Sequence, residues 1–334
     1  MTSLPRRIVL LAALLLGWTG ALAALDAEQR AFVDEMVRKH GYDLGELTRL
    51  LEDAQFQEGI IRLITRPAEA KPWYEYRAIM VTPERIEQGV EFWQRNADTL
   101  RRAEAELGVP PEIVTAILGV ETRYGRNTGR HRVLDALFTL GFGYPKRASF
   151  FRKELEQFLL MTREEHLDAR TLTGSYAGAM GKSQFMPSSF RAYAIDFDGD
   201  GRRDLWGSDA DAIGSIANYF VRNGWRRGER VALPASGVDS RHQRFLEAGL
   251  KPGFTLGELA AAGVRVATDG LPADTPCSLF DLDEENGPAY WAGLQNFFAI
   301  TRYNRSELYA MAVYQLSREI AQSHAALERK NIAR

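Results

Sequence analysis

From residue 26 to about residue 107, apolar positions recur at helical spacing with charged residues between them. Within this stretch Thr82-Pro83 supplies a cap and a first-turn residue, and Ile86, Val90, Phe92 and Trp93 follow at roughly turn intervals. Pro110-Pro111 opens a further helix, in which Ile113, Val114, Ile117 and Leu118 form a stripe that Glu121 continues; Gly125 is its expected stop. Helical patterns also cover about residues 149–162 and 209–222, the second with Ile213, Ile216, Ala217 and Phe220 on one face. Residues 224–288 break the rhythm. There Gly and Pro punctuate short β-prone runs, Arg230-Val231-Ala232-Leu233 and Ser278-Leu279-Phe280, around one short helix near residues 256–262. Helix is expected again over 289–298 and over 306–325, with Ser306 as cap and Leu308, Met311, Ala312, Leu316 and Ile320 facing a core. The pattern predicts a mainly α (α+β) chain: an N-terminal helical part over 24–108, a helical core from 109–223 plus 289–334, and a small inserted β-containing subdomain at 224–288.

The start of the chain reads differently. Arg6 and Arg7 precede an unbroken apolar run over residues 8–16, and Gly17, Gly20 and Ala21-Leu22-Ala23 follow as small residues. That is the three-part pattern of a secretory signal peptide, expected to occupy residues 1–23 and to send the chain to the periplasm; a retained anchor is the alternative. Cys277 is the one cysteine, so neither an internal disulfide nor a lipid-modified N-terminal cysteine is expected. With 42 basic and 44 acidic side chains, the charge balance gives no footing for a nucleic-acid partner. The five histidines, His40, His131, His166, His242 and His324, include no pair at zinc-ligand spacing.

Glu121 carries the chemical signal. A carboxyl on an apolar helix face loses hydration, which raises its pKa and keeps a proton on it near neutral pH, as a general acid requires. The bland alternative is a core glutamate neutralised by an arginine such as Arg123. A second element lies at residues 174–189, where Gly174, Ala177, Gly178, Ala179 and Gly181 allow a backbone to approach a ligand closely. Polar Ser175 and Gln184 alternate there with apolar Met180, Phe185 and Met186, a mixture suited to a sugar. Taken alone, the stretch could equally be a plain structural turn.

Gly119-Val120-Glu121-Thr122-Arg123-Tyr124-Gly125, the stretch 175–189 and Ile300-Thr301-Arg302-Tyr303-Asn304 resemble the lytic murein transglycosylase B family, in order along residues 26–325. The resemblance implies a lysozyme-like core in which Glu121 is the only catalytic carboxylate and Ser175 helps to orient the sugar. It implies a groove lined by Tyr76, Lys146, Arg147, Ser175, Gln184, Phe185, Met186, Tyr219, Tyr303, Asn304 and Tyr309. Lys146 stands where an arginine is expected, and Phe150 where a tyrosine is. The implied reaction cuts the bond between N-acetylmuramic acid and N-acetylglucosamine in peptidoglycan strands and closes a 1,6-anhydro ring, without a catalytic cofactor. The implied protein is a monomer, with cell-wall synthesis enzymes as candidate partners. A goose-type-lysozyme-like hydrolase and a non-catalytic peptidoglycan-binding protein are the rival readings.

Asp196-Phe197-Asp198-Gly199-Asp200-Gly201 matches the start of an EF-hand loop. Asp196, Asp198 and Asp200, the Arg202 carbonyl and Asp204 would supply oxygens to a structural calcium (or sodium) ion. The twelfth position, normally a bidentate acid, is Gly207, and Asp209 is the expected substitute. A solvated acidic turn is the alternative.

Overall fold

The computed structural model describes residues 24–65, 71–268 and 270–332, so the signal-peptide expectation at 1–23 lies outside the described residues. Two compact units divide after Ala54. In the first, α1 (Ala27–His40) and α2 (Leu44–Glu52) pack on each other and bury Phe32, Val33, Met36, Leu47 and Leu51. Asp26 and Gln29 form a reciprocal capping box at the start of α1, with hydrogen bonds of 2.9 and 3.0 Å.

The second unit begins with α3 (Glu58–Thr65), α4 (Trp73–Met80), α5 (Pro83–Arg95) and α6 (Ala97–Leu107). Thr82 caps α5 as its sequence predicts, its side chain accepting the Arg85 N–H at 3.2 Å. The next helix, α7 (Pro111–Thr122), is more than amphipathic: Ile113 through Gly119 are buried without a break. A helix apolar on all sides belongs in the middle of a core, and α5, α6, α11 (Asp209–Arg222) and α15 (Glu307–Ile332) pack around it. Between α7 and α11 come the short strand β1 (His131–Arg132), α8 (Val133–Gly143), a 3-10 turn at Pro145–Arg147, α9 (Ala148–Glu164), β2 (Thr173–Gly174) and α10 (Pro187–Tyr193); β1 and β2 pair antiparallel.

The inserted segment is an antiparallel sheet. Its strands β3 (Ala232–Ser236), β4 (Phe254–Thr255), β5 (Arg265–Val266), β6 (Pro276–Glu284) and β7 (Gly287–Gly293) lie in the order β4-β6-β7-β3-β5. Its core joins Leu233, Phe245, Leu256, Leu259, Val264, Leu279 and Ala292 to Cys277, whose thiol burial pushes up to about 12. Two short helices serve it, α12 (Gln243–Leu246) and α13 (Leu256–Ala261); only the second was expected. The helix expected over 289–298 is corrected: residues 287–293 form β7, and α14 (Gln295–Tyr303) starts only afterwards. The two-residue turn Glu285-Asn286 followed by Gly287 (φ 110°) pairs β6 with β7, which claims Tyr290 and Trp291 for the sheet. Among the described residues no helix is long and apolar enough to cross a membrane.

Candidate active site

The α7 helix ends at Thr122 and not at Gly125, because three consecutive residues turn left-handed: Arg123 (φ 50°), Tyr124 (φ 60°) and Gly125 (φ 85°). Two of these are non-glycine, so roughly 1–3 kcal/mol of strain per residue is held by the surroundings. Tyr124 supplies the hold. Its hydroxyl donates to the Arg85 carbonyl at 2.7 Å, its ring lies against Phe92, and it folds over Gly119 and Gly89. A Cβ at Gly119 would sit 2.5 Å from the Tyr124 hydroxyl oxygen, and one at Gly89 would sit 2.6 Å from it, so only glycine fits at either position. Thr122 completes the lock: its hydroxyl donates to the Lys182 carbonyl at 2.9 Å and accepts the Gly125 N–H at 3.0 Å, tying the helix end to the glycine-rich turn.

This fixes Glu121 on the last turn of α7. The residue keeps some surface, yet its carboxyl is densely enclosed, and burial raises its pKa from 4.5 to about 7. Opposing that rise, the Tyr309 hydroxyl on α15 donates to Glu121 Oε1 at 2.5 Å. Tyr76 and Tyr303 also feel the Glu121 charge, so three phenols surround the carboxyl; burial, then Glu121, raises the pKa of each. Arg123 is exposed and reaches Glu84 at 3.8 Å, away from Glu121, so it does not neutralise the acid. Among the described residues no second carboxylate contributes to Glu121's acidity.

The glycine-rich turn forms the neighbouring wall. Ser175 Oγ accepts the N–H groups of Ala177 (3.3 Å) and Ala179 (3.0 Å), and among the described residues its O–H has no acceptor. Gln184 is left-handed (φ 49°), and its side-chain amide is fixed by the Thr128 and Gly181 carbonyls at 3.0 and 2.9 Å. Tyr303 donates to the Ser183 carbonyl at 2.6 Å and so joins α14 to this turn. Phe185 and Tyr219 are buried behind that surface, each packed on the Tyr303 ring, and the Tyr219 hydroxyl is spent on the Arg302 carbonyl. They back the wall. Met186 is the partly buried N-cap of α10, and Asn304 is exposed at the end of α14. Lys146 and Arg147 are exposed on the 3-10 turn, where the Arg147 guanidinium lies 4.3 Å above the Phe150 ring; their contacts do not join them to Glu121. Sequence reasoning missed the locking roles of Thr122, Tyr124 and Arg85, although the first two stand inside the Glu121 motif.

The acidic loop differs from expectation at one ligand. Carboxylate oxygens of Asp196, Asp198 and Asp211 lie within 4.8 Å of one another, whereas Asp209 is turned away onto Lys182 (2.5 Å) and Asn96 (3.3 Å). Asp211, rather than Asp209, is the third carboxylate of that cluster. It is buried in the first turn of α11, where it accepts the N–H groups of Phe197 and Asp204 at 2.7 Å. Asp196 accepts N–H groups from Gly199 and Gly201, Asp200 accepts the Arg202 N–H, and Asp204 accepts those of Trp206 and Gly207. A convergent set of hard oxygen donors fits calcium, whose oxygen distances are about 2.3–2.6 Å.

The profile of the transglycosylase SLT domain matches residues 24–318. The chain belongs to that family. It is 47% identical over 300 residues to the membrane-bound lytic murein transglycosylase B of Escherichia coli (strain K12), covering 87% of this chain and 81% of that one. The crystal structure of soluble lytic transglycosylase SltB1 from Pseudomonas aeruginosa superposes with a TM-score of 0.85 at 51% identity, covering 89% of this chain and 99% of that one. The Escherichia coli lytic transglycosylase Slt35 in complex with calcium gives 0.79 at 45% identity, covering 89% and 93%. The mainly α, lysozyme-like fold class follows from these neighbours.

Proposed function

We propose that this family member is an exported peptidoglycan lytic transglycosylase in which Glu121 is the single acid and base. The carrying observation is a lone enclosed carboxyl with a pKa of about 7, held by one neutral phenol. In its protonated form Glu121 gives a proton to the oxygen bridging N-acetylmuramic acid and N-acetylglucosamine as the C1–O bond breaks. The substrate's N-acetyl oxygen takes up the developing charge at C1. The carboxylate then removes the proton of the C6 hydroxyl of the same muramoyl unit, whose oxygen bonds to C1 and closes the 1,6-anhydro ring. Each proton that leaves Glu121 returns to it. A tethered nucleophile has a very high effective concentration, which lets it outcompete water. Ser175, through its O–H, and Gln184, locked onto the Thr128 and Gly181 carbonyls, orient the sugar; Tyr76 and Tyr303 close the carboxyl from solvent.

The expected substrate is the glycan strand, and the expected location is the periplasm, reached through residues 1–23. A calcium ion held by Asp196, Asp198 and Asp211 would neutralise converging carboxylates and fasten the loop to α11, a structural task. Mass spectrometry of sacculus digests tests the central reading: wild type is expected to release anhydro ends and Glu121→Gln none. Reducing ends would identify a hydrolase, and turnover retained in Glu121→Gln would remove the assignment.

A further inference from the structure

Lys182 is the one charged residue in the glycine-rich stretch 174–189, and it is seated unlike a surface lysine. Its carbonyl accepts the Thr122 hydroxyl at 2.9 Å, and its N–H donates to the Leu205 carbonyl at 2.7 Å. Its aliphatic stem covers Gly125, where an added Cβ would lie 3.2–3.3 Å from Lys182 Cγ, Cδ and Cε. At the far end the ammonium donates to the Gly207 carbonyl at 2.9 Å and to Asp209 Oδ1 at 2.5 Å. Asp209 in turn accepts Asn96 Nδ2, at the junction of α5 and α6, on its other oxygen at 3.3 Å. One residue therefore joins the end of the helix that carries Glu121, the wall beside it and the start of α11.

An uncharged stem would cover Gly125 as well. The Lys182 side chain is only 13% exposed, and enclosing an ammonium loses hydration that a carboxylate partner must return. What the charge adds over packing is direction. An ammonium between a carbonyl and a carboxylate has one favoured position, whereas a bare hydrocarbon stem chooses among rotamers. Direction matters here because the stem leans on the left-handed turn of Arg123, Tyr124 and Gly125 that ends α7 just beyond Glu121. The titratable groups facing the Glu121 carboxyl are Tyr76 from α4, Tyr303 from α14 and Tyr309 from α15, all neutral at pH 7. Its acidity is therefore set by enclosure and by the Tyr309 hydrogen bond, with no direct contribution from Lys182 or Asp209. Their influence on the acid passes through how firmly the helix end is held.

We propose that Lys182, anchored on Asp209, is a positioning residue for Glu121, clamping the end of α7 to the glycine-rich wall so that the carboxyl stays enclosed. That Glu121 is the acid rests on the reading above, but its enclosure can be measured without turnover. An enclosed carboxylate destabilises the folded state at pH 8 relative to a neutral amide, so the gap in thermal midpoint between a protein and its Glu121→Gln counterpart reports the enclosure. In the wild-type background that gap is expected to be roughly 4 °C. It should shrink to about 2 °C when both proteins carry Lys182→Met, which keeps a stem over Gly125 and removes the ammonium. Asp209→Ala, in the first turn of α11, should shrink it likewise and serves alone if Lys182→Met folds poorly. The two changes together should shrink it no further, because either one removes the same pair. On peptidoglycan each variant is expected to lose about three- to tenfold in kcat with KM within about twofold, and the alkaline limb of kcat/KM should move about half a pH unit lower. A clamp that served stability alone would lower both midpoints together and leave the gap and the limb in place, which overturns the proposal. So does a double variant whose loss is the sum of the singles. Reducing ends in the sacculus digest would instead sink only the transglycosylase reading and leave the gap unaffected.

Discussion

Replacing Glu121 by Gln is expected to stabilise the protein, and to do so only above mildly acidic pH. Burial lifts the Glu121 pKa from 4.5 to about 7, so the folded state binds the proton more tightly than the unfolded chain does. Below pH 4.5 both states are protonated and the wild type carries no penalty. As pH rises from 4.5 to 7 the unfolded carboxyl ionises freely while the folded one resists, so stability falls through that window and levels off above it. At about 1.4 kcal/mol per unit, a shift of this size corresponds to about 3 kcal/mol; the residue's partial exposure lowers the expectation to about 2–3 kcal/mol. Gln keeps the shape and an oxygen for the Tyr309 hydroxyl while carrying no charge. Thermal unfolding of both proteins from pH 4 to pH 8 should show coincident midpoints at pH 4. By pH 7–8 the variant should lie roughly 4 °C higher, for a unit of this length. A constant offset across the series, or a variant less stable at pH 8, would refute the claim that a desolvated carboxylate sits at this position.

In wild type, kcat/KM on peptidoglycan should fall about tenfold per pH unit above pH 7, since the proposed reaction starts from protonated Glu121; a profile flat to pH 9 would contradict this. Tyr309→Phe removes the hydrogen bond that holds the Glu121 pKa down, so the alkaline limb should move to higher pH while kcat drops about tenfold or more. Gly119→Ala places a methyl group against the Tyr124 hydroxyl and should cost about 1–3 kcal/mol by denaturant unfolding. Calcium added to chelator-treated protein should raise the thermal midpoint of wild type and of Asp209→Asn but not of Asp211→Asn; equal responses in all three would remove Asp211 from the site.

The helices that locate the chemistry were legible because their start signals are local. Thr82-Pro83 and Pro110-Pro111 open α5 and α7 where the sequence places them, and the Ile213-to-Phe220 face lies in α11. What failed depended on partners distant along the chain. Residues 289–293 pattern as helix until the Glu285-Asn286 turn pairs them with β6. Asp211 escapes a twelve-residue loop count, because the third carboxylate of the cluster arrives from the first turn of α11. The bond from Tyr309 to Glu121 spans 188 residues, and no periodicity could have announced it. Reading Glu121 as the continuation of one stripe understated the helix, since α7 is buried on every side and the acid emerges only at its end.

The identity of the partner on Glu121 decides what the carboxyl can do. A cation at hydrogen-bond distance would hold the group ionised and spoil it as an acid, and a second carboxylate would raise its pKa while offering a water molecule a base. A phenol does neither: it is neutral, and burial and Glu121 together raise its own pKa, so it offers a hydrogen bond without accepting the proton. That single neutral donor offsets part of the desolvation cost and leaves the acid near pH 7, where protonated and ionised forms are close in free energy. A group required to give a proton in one half of a reaction and recover it in the other loses least when the two forms are nearly balanced. The left-handed turn after Thr122, pinned by Tyr124 and by the hydroxyl of Thr122, keeps the enclosure rigid enough for that balance to persist.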